Sequence, residues 1–280
     1  MPTGRVLNWY NRGHGRRWGT SPADYDPEAV RTTLDQLRWL FGERRYFRLE
    51  AQGLENVPRS PAMIVSNHSG GTTIPDVWGF GVLWYRAFGV ERPLHLMAHD
   101  IILATDATRR FFGRRGVLRG SRKLAAHVLT DWQRDLMVMP GGDLDTWRPY
   151  RERYRVRFGG RTGYARLAIQ SGVPIVPVAN AGAHETLMVL SDGRDLARKL
   201  HLRELWRASI WPVHLSLPWG LAVGPWPHLP LPARLRYRIG LPISVSDEPI
   251  ADPAPELVEE LDARVQAAVQ AQLDALRDDR

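Results

Sequence analysis

Short runs of apolar residues alternate along the chain with longer segments in which apolar residues recur at helical spacing. The first pattern predicts β-strands and the second predicts amphipathic helices. The predicted strands are residues 46–50, 63–66, 94–97, 136–139, 175–179 and 235–239, and the predicted helices are residues 23–42, 76–88, 105–112, 121–134, 161–171 and 255–277. Strands that alternate with helices indicate an α/β fold, in which a mostly parallel sheet is flanked by helices on both faces.

The chain length favours one large domain. With 280 residues, 44% of them hydrophobic, the chain can bury a sizeable core. We expect a single α/β domain over residues 46–250, preceded by a basic segment and an amphipathic helix at 1–45 and followed by a C-terminal helix at 251–280. Residues 204–232 contain four tryptophans and six prolines. Because proline interrupts both helices and central strands, we expect this stretch to be irregular.

Loops at the carboxyl ends of parallel strands usually form the functional site of such a sheet. Three groups of residues follow predicted strands in this way: Asn67-His68, Pro140-Gly141-Gly142 and Asn180. The topology therefore predicts that these residues meet at one edge of the sheet.

Composition narrows the classes of function. The chain has no cysteine, which excludes a disulfide framework, a thiolate nucleophile and a Cys-ligated metal. Its net charge of +8 and its eleven tryptophans suit either a nucleic-acid-binding protein or a protein that rests on an anionic membrane. No nucleic-acid recognition motif is present, so we expect a membrane partner and no nucleic acid. With no signal peptide and no apolar run of spanning length, we expect a cytoplasmic protein peripheral to the inner face of the cell membrane.

The segment SNHSGGTTIPD, residues 66–76, carries the sharpest chemical signal. Gly70 and Gly71 permit a bend that lets Asp76 reach the imidazole of His68. Such a pair forms a general base, because the carboxylate orients the ring and stabilises the imidazolium. The chain has no serine nucleophile elbow, which favours direct attack by an external hydroxyl. The alternative is purely structural: His68 ends a strand and Asp76 begins a helix.

Later segments resemble the phospholipid/glycerol acyltransferase superfamily. The resemblance covers most of residues 46–245 and rests on the order of four segments: RLEAQGLENVPRSPAMIVSNHSGG, VMPGGDLDTWRP, GRTGYARLAIQSGVPIVPVANAGAHE and LPLPARLRYRIGLPI. It is strongest to the branch that carries a Pro-Gly-Gly block, which includes relatives of enzymes that acylate mono- or diacylglycerol.

This resemblance implies a glycerol-phosphate acyltransferase-like fold and an acyl-CoA or acyl-carrier-protein donor, a lipid acceptor, and no metal or other cofactor. It makes His68 the base and Asp76 its partner. The residues it implies for substrate binding are Asn67, Gly70, Gly71, Arg119, Pro140, Gly141, Gly142, Asp145 and Arg148. Gly141 and Gly142 would lie against the acyl thioester or the acceptor headgroup, where their N–H groups could stabilise an oxyanion.

The chain departs from the superfamily pattern at two places. The aspartate usually stands five positions after the histidine, which is Thr73 here, whereas Asp76 stands eight positions after it. Leu144 and Asp145 occupy positions where the Pro-Gly-Gly block would carry Arg-Glu. Loss of that arginine favours a neutral hydroxyl lipid as acceptor, because leucine cannot grip a phosphate. Candidate phosphate ligands that remain are Arg119, Arg148 and Arg151.

Several other readings remain open. A metal site at His95, His99 and Asp100 is disfavoured, because side chains four apart on a strand lie about 13 Å apart. The sequence places His184-Glu185 either at the rim of the site or in a solvated loop. The arginines of region 109–122 have three possible roles: they form a solvated face, they bind the phosphates of CoA, or they contact anionic lipid. The whole chain could instead be a non-catalytic lipid-binding or lipid-transfer protein, or an α/β hydrolase.

Overall fold

The computed structural model describes residues 19–59, 61–98, 102–202, 210–245 and 248–279. Within these residues the helices are α1 (Pro27–Leu37), α2 (Pro75–Phe88), α3 (Asp106–Gly113), α4 (Arg122–Thr130), α5 (Asp143–Thr146), α6 (Gly163–Ser171), α7 (Arg194–Lys199) and α8 (Pro255–Asp278). The strands are β1 (Phe41–Gly42), β2 (Phe47–Gln52), β3 (Met63–Ser66), β4 (Leu94–Ala98), β5 (Val117–Arg119), β6 (Asp135–Val138), β7 (Ile175–Ala181), β8 (Met188–Ser191), β9 (Val213–Ser216), β10 (Gly220–Val223) and β11 (Ala233–Ile239).

Among the described residues, eight strands form one sheet in the order β1-β2-β11-β7-β3-β6-β4-β5. Every neighbouring pair in it is parallel except β11 and β7. The central strand β7 is buried along its whole length, as expected for a strand covered on both faces. The predicted fold class, a single α/β domain with a mostly parallel sheet flanked by helices, is therefore confirmed.

Two hydrophobic clusters cover the two faces of this sheet. One contains buried residues of α4, α6 and α8. The other contains buried residues of α2, and partly buried residues of α1 pack against it. Helix α8 contributes Val265, Val269 and Leu273, all fully buried, to the first cluster. The C-terminal helix is thus an integral layer of the domain.

The structure differs from the sequence prediction at several elements. Helix α1 is shorter than predicted, because Asp26 caps its amino end and Pro27 occupies its first turn. Residues 41–42, predicted to end the first helix, form strand β1, and strands β5 and β8 and helices α5 and α7 are further elements that the sequence does not predict. Residues 204–232, predicted to be irregular, contain β9 and β10, because the prolines of this stretch lie outside both strands. The basic segment at residues 1–18, together with Trp206, lies outside the described residues.

Strands β8, β9 and β10 form a second, antiparallel sheet. Its inner side contacts Trp147, Leu187 and Ile210 in a small buried cluster, which lies beside the carboxyl ends of β6 and β7. We call this second sheet the small sheet. Of the helices that the structure describes, none combines the length and the apolar character required to cross a bilayer.

Candidate active site

The carboxyl end of β3 places His68 beside Asp76. The distance between His68 Nδ1 and Asp76 Oδ2 is 2.8 Å. Gly70 and Gly71 adopt φ angles of 98° and 64°, and a single 3-10 turn, Gly71–Thr73, leads to α2. Those left-handed angles favour glycine. The histidine and aspartate are eight positions apart instead of five, and the bend brings the Asp76 carboxylate back to the imidazole despite these extra residues.

Hydrogen bonds fix the Asp76 carboxylate on three sides. Oδ2 also accepts the backbone N–H of Ser69 at 2.8 Å, and Oδ1 accepts that of Val77 at 2.9 Å. The Tyr237 hydroxyl donates to the Asp76 carbonyl oxygen at 2.7 Å. Asp76 is 1% exposed and the His68 side chain 14% exposed. No described residue hydrogen-bonds to His68 Nε2, so this nitrogen is open to a substrate proton.

Asp145 holds the backbone of His68 from the opposite side. Its Oδ2 accepts the His68 backbone N–H at 2.6 Å, and its Oδ1 pairs with the guanidinium of Arg148. Both side chains are completely buried, and Arg148 also donates to the carbonyl oxygen of Arg153. Burial lowers the pKa of Arg148 to about 9. Asp145 and Arg148 therefore support the backbone of His68 from the protein interior. The expectation that Arg148 binds a substrate phosphate needs correction, because its guanidinium is completely buried.

Asn67 ties the end of β3 to β7. Its side-chain amide donates to the carbonyl oxygen of Asn180 at 2.9 Å and accepts the Asn180 backbone N–H at 2.8 Å. The Asn180 side chain in turn accepts the Ser69 hydroxyl at 2.9 Å. Asn67 is fully buried. The expected contact of Asn67 with substrate is thus corrected to a bracing contact between two strands.

The Pro-Gly-Gly turn follows β6 and is braced by Arg161. Arg161 Nη1 donates to the carbonyl oxygens of Pro140 and Gly141, at 3.2 and 2.9 Å. A Cβ atom at Gly142 would lie 2.5 Å from that same nitrogen. The N–H of Gly142 donates to Met139 at 3.1 Å, so it is not free for an oxyanion. Sequence reasoning missed Arg161, and no local pattern marks it, because it lies about twenty residues beyond the turn.

The remaining predicted residues lie farther out or are buried. Arg119 is exposed at the carboxyl end of β5, three strands from β3 and hence roughly 14 Å across the sheet. Arg151 is exposed. His184 is buried, and burial followed by the charges of Arg148 and Arg153 lowers its pKa well below the usual value. His95 packs in the core between Tyr25 and Trp132, while His99 and Asp100 lie outside the described residues.

A segment of the Pro/Trp-rich stretch closes one side of the site. The Thr72 hydroxyl donates to the carbonyl oxygens of Pro225 and Trp226, at 3.3 and 3.2 Å. Thr73 Oγ1 lies 3.2 Å from His228 Nε2. Burial lowers the pKa of His228 to about 4, so this histidine is neutral at neutral pH. The segment that follows β10 is therefore joined directly to the turn that carries the His68–Asp76 pair.

Comparison with known proteins places this chain near a family of acyltransferases. The model of the family described as Acyltransferase matches residues 48–181. A chicken protein named as a DGAT1/2-independent enzyme synthesizing storage lipids is 28% identical over 268 residues, which cover 95% of this chain and 69% of that protein. Residues 48–181, which include His68 and Asp76, are therefore similar to the phospholipid/glycerol acyltransferase superfamily.

Other relatives and one solved structure are also similar to this chain. An uncharacterized protein of Mycobacterium tuberculosis is 29% identical over 249 residues, which cover 85% of this chain. The chain spans 63% of the length of that mycobacterial protein. The crystal structure of PlsC, the 1-acyl-sn-glycerophosphate acyltransferase of Thermotoga maritima, aligns over 96% of this chain and 87% of PlsC, with a TM-score of 0.49 and 15% identity.

Proposed function

We propose that this chain transfers a fatty acyl group from an acyl thioester, acyl-CoA or acyl-carrier protein, to a hydroxyl group of a lipid acceptor. The observation that carries the proposal is the arrangement of His68, whose Nδ1 is held by Asp76 while Nε2 stays open. A hydrogen bond from Nδ1–H to a carboxylate leaves the lone pair of Nε2 as the acceptor. This is the tautomer that a general base needs.

In the proposed reaction the acceptor hydroxyl gives its proton to Nε2 while its oxygen attacks the thioester carbonyl. The tetrahedral intermediate then collapses, the carbon–sulfur bond breaks, and the thiolate takes the proton back from the imidazolium. Asp76 stabilises the imidazolium between these two steps. Asp145 fixes the backbone of His68 and thereby the position of the ring. No covalent acyl-enzyme is required.

The acceptor that the site favours is a neutral hydroxyl lipid such as a mono- or diacylglycerol, ahead of a lysophospholipid. Leu144 stands where an arginine would grip a phosphate, and Arg148 is buried against Asp145. Removing a charged guanidinium from such a site weakens phosphate binding, because the bidentate contact is lost. The chicken relative is named for the synthesis of storage lipids, which agrees with this choice.

We further propose that the protein acts as a peripheral protein on the inner face of the cell membrane, where a lipid acceptor resides. Arginines of region 109–122 supply part of the attraction to anionic lipid. Two of them are engaged in ion pairs, Arg109 with Asp106 and Arg114 with Asp26. The electrostatic share of binding is thus smaller than the net charge suggests.

The test is turnover by the purified chain with a panel of labelled acyl-CoAs and lipid acceptors, with the products identified by mass spectrometry. His68→Ala should reduce product formation by roughly a hundredfold or more. His127→Ala is the matched control, because His127 forms an exposed pair with Asp131 on α4. Near-parental turnover in a folded His68→Ala protein would refute the mechanism. Binding of lipid without any product would instead indicate a lipid-binding protein.

A further inference from the structure

The outer side of the small sheet is mostly apolar, with Ser191 at one end, which is unusual for an antiparallel sheet at a surface. Along its strands the buried residues are Val189, His214 and Ala222. The residues that alternate with them form what we call the apolar face: Met188, Leu190, Leu215, Leu221 and Val223, each exposed by 42–65%. Leu215 is central, since it pairs across the strands with both Met188 and Leu221. Surface sheets normally place polar residues on this side, so the apolar face is suited to contact another apolar medium.

The segment that contains β9 and β10 carries no charged residue. From residue 211 to residue 232 the chain has no Asp, Glu, Lys or Arg. Trp219 and Trp226 are each more than half exposed. Their indole N–H groups nevertheless donate within the protein, to the carbonyl oxygens of Pro227 at 2.6 Å and Val223 at 2.9 Å. Neither indole would leave an unpaired donor in a hydrocarbon environment.

These properties distinguish a bilayer from a protein partner. Protein interfaces combine an apolar centre with a polar rim and about one hydrogen bond per 100–200 Å². The apolar face instead borders exposed apolar loop residues, among them Leu217, Leu229 and Leu231. An apolar surface whose β9 and β10 part carries no charge, with internally bonded indoles, is complementary to the uncharged acyl region of a membrane.

We propose that the apolar face and its two tryptophans insert into the outer part of a lipid bilayer and hold the turn that carries His68 and Asp76 close to it. This rests on the proposed function in so far as the acceptor is a membrane lipid. Insertion is shallow, roughly 5–10 Å, because the edges of the small sheet keep unpaired backbone groups that need water. The hydrogen bonds of Thr72 to Pro225 and Trp226 fix the inserted segment relative to the catalytic turn.

The experiment is flotation of the full chain with phosphatidylcholine vesicles in about 1 M NaCl, where the Debye length of about 3 Å suppresses attraction to surface charge. The parent protein should float with these vesicles. Leu215→Asp and Leu221→Asp should each lower the partition coefficient about tenfold, and the double variant about a hundredfold, since tenfold corresponds to about 1.4 kcal/mol. Both positions are exposed, so the variants should keep the parental melting temperature.

The matched control is Leu241→Asp. Leu241 is 73% exposed, more than any residue of the apolar face. It follows β11, whose carboxyl end lies away from the carboxyl end of β7 because the two strands are antiparallel. It should float like the parent. Equal flotation of the double variant and the parent would overturn the proposal, as would equal loss in the control. The proposal would also be overturned by a parent that does not float but forms a dimer that Leu215→Asp dissociates, because the face would then bind a second copy.

Turnover separates this proposal from the proposed function. With a short-chain acyl-CoA and a water-soluble acceptor, the double variant should keep parental turnover, whereas turnover of vesicle-borne acceptor should fall with the partition coefficient. A parent with no turnover on any substrate would contradict the proposed function and leave flotation as an independent test of the apolar face. Equal loss of turnover on soluble and vesicle-borne acceptors would overturn the role of the face in membrane contact.

Discussion

The pairing of His68 with Asp76 makes a sharp prediction for Asp76→Asn. The carboxylate accepts three hydrogen bonds, two on Oδ2 and one on Oδ1. An asparagine has a single acceptor oxygen, so its NH2 group must face either the Ser69 and His68 donors or the Val77 N–H. One buried backbone N–H then loses its partner, which costs about 1–3 kcal/mol. In a domain somewhat smaller than this one, each kcal/mol of lost stability lowers the melting temperature by about 2–4 °C. The melting temperature of Asp76→Asn should therefore fall by several degrees.

The same substitution acts separately on catalysis. If the amide NH2 faces His68 Nδ1, the ring carries its proton on Nε2 and cannot accept one from the hydroxyl. We therefore expect kcat/KM to fall roughly 10²–10⁴-fold, the range for loss of a general base. Because His68 and Asp76 act as one unit, the double variant His68→Ala/Asp76→Asn should be no slower than the worse single variant.

The assay is kcat/KM for acyl transfer in the four proteins of this double-mutant cycle, with thermal unfolding of each. The parallel cycle at His127 and Asp131 is the control, because that pair has the same chemistry but lies exposed at the carboxyl end of α4. It should change kcat/KM by less than about twofold. Multiplicative losses at His68 and Asp76 would show independent roles and refute the base–carboxylate pair.

Three further predictions concern stability. A Cβ at Gly141 would lie 2.4 Å from the Arg157 carbonyl oxygen and from Asp145 Cβ. Gly141→Ala should therefore lower the free energy of unfolding, measured by urea titration, by about 1–3 kcal/mol. Gly81→Ala is the control and should not destabilise the protein, because a Cβ at this position of α2 meets no atom within 4 Å. Asp145→Ala strands a buried guanidinium and should cost about 3–5 kcal/mol by the same measurement. Burial lowers the pKa of His95 to about 4, so its neutral form favours folding. Stability should be flat above pH 6.5 and fall by up to about 3 kcal/mol towards pH 4, and His95→Asn should remove that part of the slope.

The sequence determined those features that depend on neighbouring residues. The alternation of apolar strands with amphipathic helices was sufficient to predict the α/β class, because burial periodicity is a local property of each element. The His68–Asp76 hydrogen bond was also predictable, since two glycines between them allow the chain to bend back within one turn. The roles of both residues in catalysis stay a prediction.

The strands of the small sheet show where local patterns mislead. The prolines of residues 204–232 argued against regular structure, but Pro212, Pro218 and Pro225 lie outside β9 and β10. Proline excludes a strand only where its missing N–H is needed for the ladder. Which positions those are depends on the register with β8, and this is a long-range pairing.

Only the tertiary structure decided how distant segments meet at the site. β11 lies between β2 and β7 and runs antiparallel to β7, which places the Tyr237 hydroxyl on the carbonyl of Asp76. Asp145 bonds the backbone of His68 from 77 positions away, and Arg148 turns inward to neutralise it. A charged side chain can pair within the protein or bind a ligand, and its sequence neighbours are alike in both cases. The choice is made by burial, because a buried charge requires a partner, and burial is known only once all the layers have packed.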